Sequence, residues 1–220
     1  MSGFGLDDAT KAAALALLGT IVKKPFERIG EIIDTRMSYW QFRNMYAVGE
    51  RSRDFLAKKG MDIADLPPKL REVVPILESA KNENDPTLQE MWASLLAASL
   101  DPDVSEAVLP FNELLRSITP FEARVLAVLG PSGTGLIDFL TPDDEYSVQV
   151  EKLAGILGID AKTTGLALRH LEHLGLILTP ETETLSSYLT YKGDGPKAFI
   201  TGNEVGRAFL QRCTYMADNA

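Results

Sequence analysis

The chain has 220 residues, of which 45% are hydrophobic and 24% charged, a composition that suits one large or two small soluble domains with a sizeable core. Its single cysteine, Cys213, excludes an internal disulfide and any cysteine-based zinc cluster and fits a reducing compartment. A formal charge of −9 argues against a surface built wholly for nucleic acid. The sequence shows no signal peptide and no apolar run of the roughly 18 residues a spanning helix requires, so a cytoplasmic protein is expected.

Charge is distributed unevenly. Lys and Arg outnumber the acids from Met1 to Gly60, whereas Met61 to Ile118 is strongly acidic. A basic arm on an acidic body could meet phosphates or an anionic membrane surface. Solvated helix faces account for the same pattern more simply.

Asp8-Ala9-Thr10 leads into KAAALALLGTIVKKPF, an alanine- and leucine-rich helix that ends against Pro25. It reads as a helix packed on the core. The competing reading is an amphipathic segment at the inner membrane, with Leu17 and Leu18 in the interface and Lys23 and Lys24 at the headgroups. The following stretch to Gly60 reads as one long or once-broken helix, with Ile29, Ile32, Ile33, Trp40, Met45, Val48, Phe55 and Leu56 inward. Tyr39, Trp40 and Phe42 interleave with Arg36 and Arg43, a mixture that can stack on single-stranded bases but more often packs.

Pro67-Pro68 opens the helix KLREVVPILESAK, whose Leu70, Val73, Val74 and Leu77 line one side and whose Pro75 should kink it. Asn82-Glu83-Asn84 is a turn. The central helix then has both ends written in the sequence: Asp85 as cap, Pro86 at the first position and Asp101-Pro102 as stop. Leu88, Met91, Trp92, Leu95, Leu96 and Ser99 form its apolar stripe and carry Gln89, Glu90 and Ser94 off it. Trp92, Leu95 and Leu96 are therefore structural core. VSEAVLPFNELLRSI supplies another amphipathic helix, and no strand is expected before Ile118.

The run PPKLREVVPILESAKNEND, then PTLQEMWASLLAASLDPD, then VLPFNELLRSITPFEARVL resembles the abortive infection alpha family, and the upstream KPFERIGEIIDTRMSYWQFRN is similar to that family's N-terminal segment. Leu-Gln-Glu-x-Trp-x-x-Leu-Leu, at residues 88–96, is the most specific part. The resemblance implies a role in bacterial defence against phage. The family has no established catalytic residues, so it supplies none here.

Thr119-Pro120-Phe121-Glu122 is a capping box that opens a helix through Leu129. The glycine-rich Gly130–Gly135 loop lacks the Gly-Lys-Ser/Thr ending of a phosphate cradle and reads as a turn. Ser147 starts a helix through Ile159, Asp160 caps the next, and Gly175 ends it. LGLILT reads as a strand, Gly193-Asp194-Gly195-Pro196 as a turn and KAFIT as the partner strand. A second capping box, Thr201-Gly202-Asn203-Glu204, opens the last helix, EVGRAFLQRC. This order is that of a winged helix-turn-helix, and HLEHLGLI resembles the end of a recognition helix running into the wing.

With Thr164, Leu168, Leu171 and Leu174 as the buried stripe of that recognition helix, Lys162, Leu166, Arg169 and His173 face outward. Together with Thr163 and the wing residue Lys192 they are the candidate contacts with nucleic acid or a protein partner. An exposed Leu166 suits a protein, and the helix start offers fewer cationic and amide groups than DNA reading demands. His170 and His173 lack an evident third ligand and read as structural or surface histidines. No catalytic motif or cofactor fingerprint stands out, so no enzyme, cofactor or metal is expected.

The expected architecture is mainly α, a helical domain over 1–118 and a winged-helix domain over 119–220. The expected function is non-enzymatic phage defence, as sensor or effector, through a protein partner such as an operon neighbour or a phage component; self-association is compatible with it. A winged-helix DNA-binding regulator and a membrane-associated effector are the alternatives.

Overall fold

The computed structural model describes residues 16, 19–20, 38–67, 69–104, 109–129, 146–177 and 204–213. The chain divides into two units, Met1–Ser117 with Arg212–Ala220, and Ile118–Gln211. All regular structure among the described residues is helical.

The first unit contains α1 (Tyr39–Lys58), α2 (Leu70–Ala80), α3 (Pro86–Leu100) and α4 (Leu109–Ser117). Asp85 caps α3 as expected: its carboxylate accepts from the backbone N–H groups of Thr87 at 2.9 Å and Leu88 at 3.2 Å, with Pro86 at the first position. α3 packs along α1 and α2 and touches α4. Trp92, Leu95 and Leu96 are buried, joined by Met45, Val48 and Leu56 of α1, Val73, Ile76 and Leu77 of α2, and Phe111 and Leu115 of α4.

The predicted stripe on α3 was too narrow. Every residue from Met91 to Leu100 is buried, Ser94 included, and so is Gln89. Ala93, Ser94, Ala97 and Ala98 are small enough to let neighbouring chain approach the sides that the periodicity assigned to solvent. Gln89 tolerates burial because its amide is matched: Nε2 donates to the Glu83 carbonyl at 2.9 Å and to Asn44 Oδ1 at 3.3 Å, and Oε1 accepts from Arg51 Nη1 at 2.8 Å.

The turn before α3 is fastened to α1. Asn44 Nδ2 donates to the Lys81 carbonyl at 3.2 Å and to Asn84 Oδ1 at 3.1 Å, and Gln41 Nε2 donates to Asn82 Oδ1 at 2.8 Å. Farther along, Asp101 is buried and its carboxylate meets Lys59 Nζ at 3.5 Å. Both ends of α3 are thereby held against α1 or the residue that follows it.

Three further expectations change in this unit. The spacing places Trp40 inward, but it is 40% exposed, since Phe42, Asn44, Met45, Val48, Gly49, Ser52 and Leu56 mark the buried side of α1 and Trp40 lies off it. Phe55 is only half-buried, with Lys58 Nζ 5.9 Å from its ring centre. On α2, Ile76 and Ala80 join Val73 and Leu77 in the core while Leu70 and Val74 are half-buried; Pro75 lies within the helix.

The second unit contains α5 (Pro120–Leu129), α6 (Tyr146–Leu157), α7 (Ala161–His173) and most of α8 (Glu204–Cys213). The capping box of α5 closes in both directions: the Thr119 N–H donates to Glu122 Oε2 at 2.7 Å, and the Glu122 N–H to Thr119 Oγ1 at 3.3 Å. α7 packs against both α5 and α6, with Leu153, Ala154, Ala167, Leu168 and Leu171 buried. α6 and α7 are joined by Gly158-Ile159-Asp160. Gly158 and Gly175 end these helices at φ 67 and φ 70, a left-handed conformation that costs glycine little.

Of the predicted hairpin only the first residues, Leu174–Ile177, are described, and they are not a strand. Leu174 and Gly175 complete the end of α7, where the Gly175 N–H bonds to the Glu172 carbonyl at 2.8 Å and the Leu176 N–H to the Leu171 carbonyl at 2.9 Å. The remaining hairpin residues, including Lys192 and the Gly193–Pro196 turn, lie outside the described residues, as do the Gly130–Gly135 loop and Thr201–Asn203. α6 begins at Tyr146, one residue before the expected Ser147.

Candidate functional site

Asp160 sets the start of α7. Its carboxylate accepts from the Thr163 N–H at 2.9 Å and the Thr163 hydroxyl at 2.7 Å. Those two bonds, the hydroxyl first, hold the Asp160 carboxyl below the usual carboxylate range. The Thr163 donor is thus committed to the cap, although Thr163, a candidate contact, is exposed. A fixed anion therefore stands at the end of the helix where a DNA-reading helix brings its contacts to the bases.

From that start the helix turns a mixed row to solvent. Lys162, Leu166, Arg169 and His173 are all exposed, with Leu166 64% exposed, while Thr164, Ala167, Leu168 and Leu171 are buried. Leu174, placed on the buried stripe from periodicity, is half-buried because the helix has already ended there. Ile156, near the end of α6, is a second exposed aliphatic in the same unit. Arg169 Nη1 approaches Glu172 Oε2 at 3.7 Å; the arginine side chain is 54% exposed and the glutamate 12%, so the pair presents its cation outward.

Sequence reasoning missed the most specific side-chain contact in this unit. His170 Nδ1 lies 2.6 Å from Glu122 Oε1, joining α7 to the carboxylate that caps α5. His173, by contrast, is exposed. The capping box marked Glu122, but its second oxygen's partner lies 48 residues away, and no local pattern reports such a pairing. Among the described residues no group of three or more His, Cys, Asp or Glu side chains is arranged to hold a metal ion.

The other candidate contacts are not assembled with these. Leu17, Leu18, Lys23, Lys24 and Lys192 lie outside the described residues. No helix among the described residues is long and apolar enough to cross a membrane. Of the aromatic and arginine cluster near residue 40, Phe42 is buried, Trp40 and Arg43 are exposed, and Arg36 lies outside the described residues. Cys213 is buried, and burial pushes its thiol pKa up, as suits an inert core thiol.

Residues 44–213 match the model of a protein family described as abortive infection alpha. No curated protein and no solved structure matches the chain.

Proposed function

Because this chain belongs to the abortive infection alpha family, we propose that it is a non-enzymatic component of bacterial defence against phage, acting as sensor or effector by binding a protein partner. The observation that carries the partner-binding part is the outward row of α7, where Leu166 stands 64% exposed between Lys162 and Arg169. Nothing in that row supplies a nucleophile paired with a base, and the neighbouring Thr163 hydroxyl is held by Asp160. An aliphatic centre with a polar rim is the composition of a protein contact.

The test is plaquing efficiency of a phage panel on cells carrying the gene, alone and with its native neighbours. Trp92→Ala serves as the core-disrupting control and Leu166→Glu as the surface variant. Protection that disappears with either substitution supports the reading; its absence from every wild-type strain sinks it.

A DNA-binding regulator is the second reading, favoured by the short turn between α6 and α7 and by the exposed Lys162 and Arg169. The Asp160 cap and the Glu172 partner of Arg169 count against it. Binding to duplex DNA measured against salt separates the two, because phosphate neutralisation imposes a steep log-log slope.

A further inference from the structure

A single exposed leucine is ordinary on a protein surface; what sets Leu166 apart is how α7 sorts its charges around it. At about 100° per residue, Lys162, Arg169 and His173 all fall within about 60° of Leu166, and they extend along the helix on both sides of it. Asp160 and Glu172, the only acids at α7 or its cap, fall about 120° away, on opposite sides. Each is also engaged. Asp160 accepts two bonds from Thr163, and Glu172, largely covered, meets Arg169 at 3.7 Å. His170 points closer to the row, but its Nδ1 is held by Glu122.

Among the residues of α7 and its cap, the face is therefore aliphatic at its centre and cationic at its rim, with both acids turned to its sides, on a chain whose net charge is −9. We infer that the outward face of α7 docks an acidic amphipathic segment of a partner protein, with an aliphatic side chain against Leu166 and carboxylates against Lys162 and Arg169. This rests on the partner-binding reading above and adds the chemistry of the partner. Charge complementarity selects the occupant: a second copy of this acidic chain would bring net repulsion, whereas an acidic segment meets local charge of the opposite sign. Nucleic acid would match the cations but not the leucine at their centre.

The experiment places a photo-crosslinking benzoylphenylalanine at position 166 of the full chain, expressed in protected cells during infection, and identifies the crosslinked segment by mass spectrometry. The expected product is one peptide of net negative charge with aliphatics at helical spacing. Its yield should fall roughly tenfold or more with Lys162→Glu and Arg169→Glu together, and return when carboxylates of the captured segment are changed to lysine. Lys162 is exposed, so Lys162→Glu alone should match the parent in circular dichroism and melting and still lower the yield, whereas Arg169→Glu also takes the ion-pair partner from the largely covered Glu172. A crosslink to DNA, RNA, a basic segment or nothing, or a yield that ignores charge reversal, would overturn the inference. Plaquing on the same cells separates the two levels. Protection that persists without an acidic crosslink removes this docking face and leaves the defence reading standing, whereas no protection by the parent gene removes the defence reading itself.

Discussion

His170 on α7 and Glu122 on α5 meet at 2.6 Å, and the same Glu122 carboxylate accepts the Thr119 N–H through its other oxygen. One buried side chain thus fixes a helix start and joins two helices. Its burial requires those partners, because a carboxylate removed from water without them is destabilising.

His170→Ala should therefore loosen α5 as well as α7. The expected loss is about 1–3 kcal/mol, toward the lower end because the imidazole is 41% exposed. Glu122→Gln should be milder at the cap, since an amide oxygen can still accept the Thr119 N–H, while it weakens the tie to His170. Amide hydrogen exchange is the suitable readout, because a chain of two units need not unfold in one step. Faster exchange confined to the C-terminal end of α7, with α5 unchanged, would contradict the shared role of Glu122.

The helices of the first unit were largely legible because their ends carry punctuation. Asp85-Pro86, Asp101-Pro102 and Gly60 act within a few residues, and α3 starts and stops where they stand. Burial was less legible. Periodicity assumes that one side of a helix meets water, so it placed Ser94 and Gln89 outside, whereas α3 has neighbours on sides its stripe left polar. On α7 the same rule held, since Lys162, Leu166, Arg169 and His173 do face solvent. The pairing of Glu122 with His170 could not be read, because it depends on how α5 and α7 pack and not on local spacing.

Trp92 and Trp40 provide an internal comparison. Trp92 is buried at the centre of α3, and Trp40 is 40% exposed at the start of α1. Acrylamide should quench Trp40 and spare Trp92. Trp40→Phe should shift the mean emission to the blue and cost little, while Trp92→Ala should destabilise by about 3–5 kcal/mol. Equal quenching of the two single-tryptophan variants would contradict this burial.

The amide network around Gln89 should behave as a unit. Gln89→Ala removes the acceptor for Arg51 Nη1 and the donor to Asn44 Oδ1 and to the Glu83 carbonyl, at a cost of about 1–3 kcal/mol. Asn44→Ala frees the Lys81 carbonyl and Asn84 as well. Because the two residues bond each other, the double variant should lose less than the sum of the single losses, by roughly 0.5 kcal/mol or more. Additive losses in urea unfolding of the first unit would mean that the two amides act independently.

Asp160 gives the pH dependence a definite sign. Thr163 lowers its pKa through the hydroxyl first and the backbone N–H second. The folded value therefore lies below the unfolded one, near the ordinary aspartate value of about 3.9, and between the two the unfolded chain binds more protons. Stability from the cap is whole above the unfolded value and is lost as pH falls through the folded value. Thr163→Val deletes the larger cause and keeps the N–H, so the carboxyl should titrate at higher pH and α7 should begin to fray at a less acid pH than in the parent. Carboxyl carbon NMR shifts of Asp160 across an acid titration measure this directly. An unchanged titration in Thr163→Val would mean that the hydroxyl does not hold the cap, and Thr163 would then be available to a partner after all.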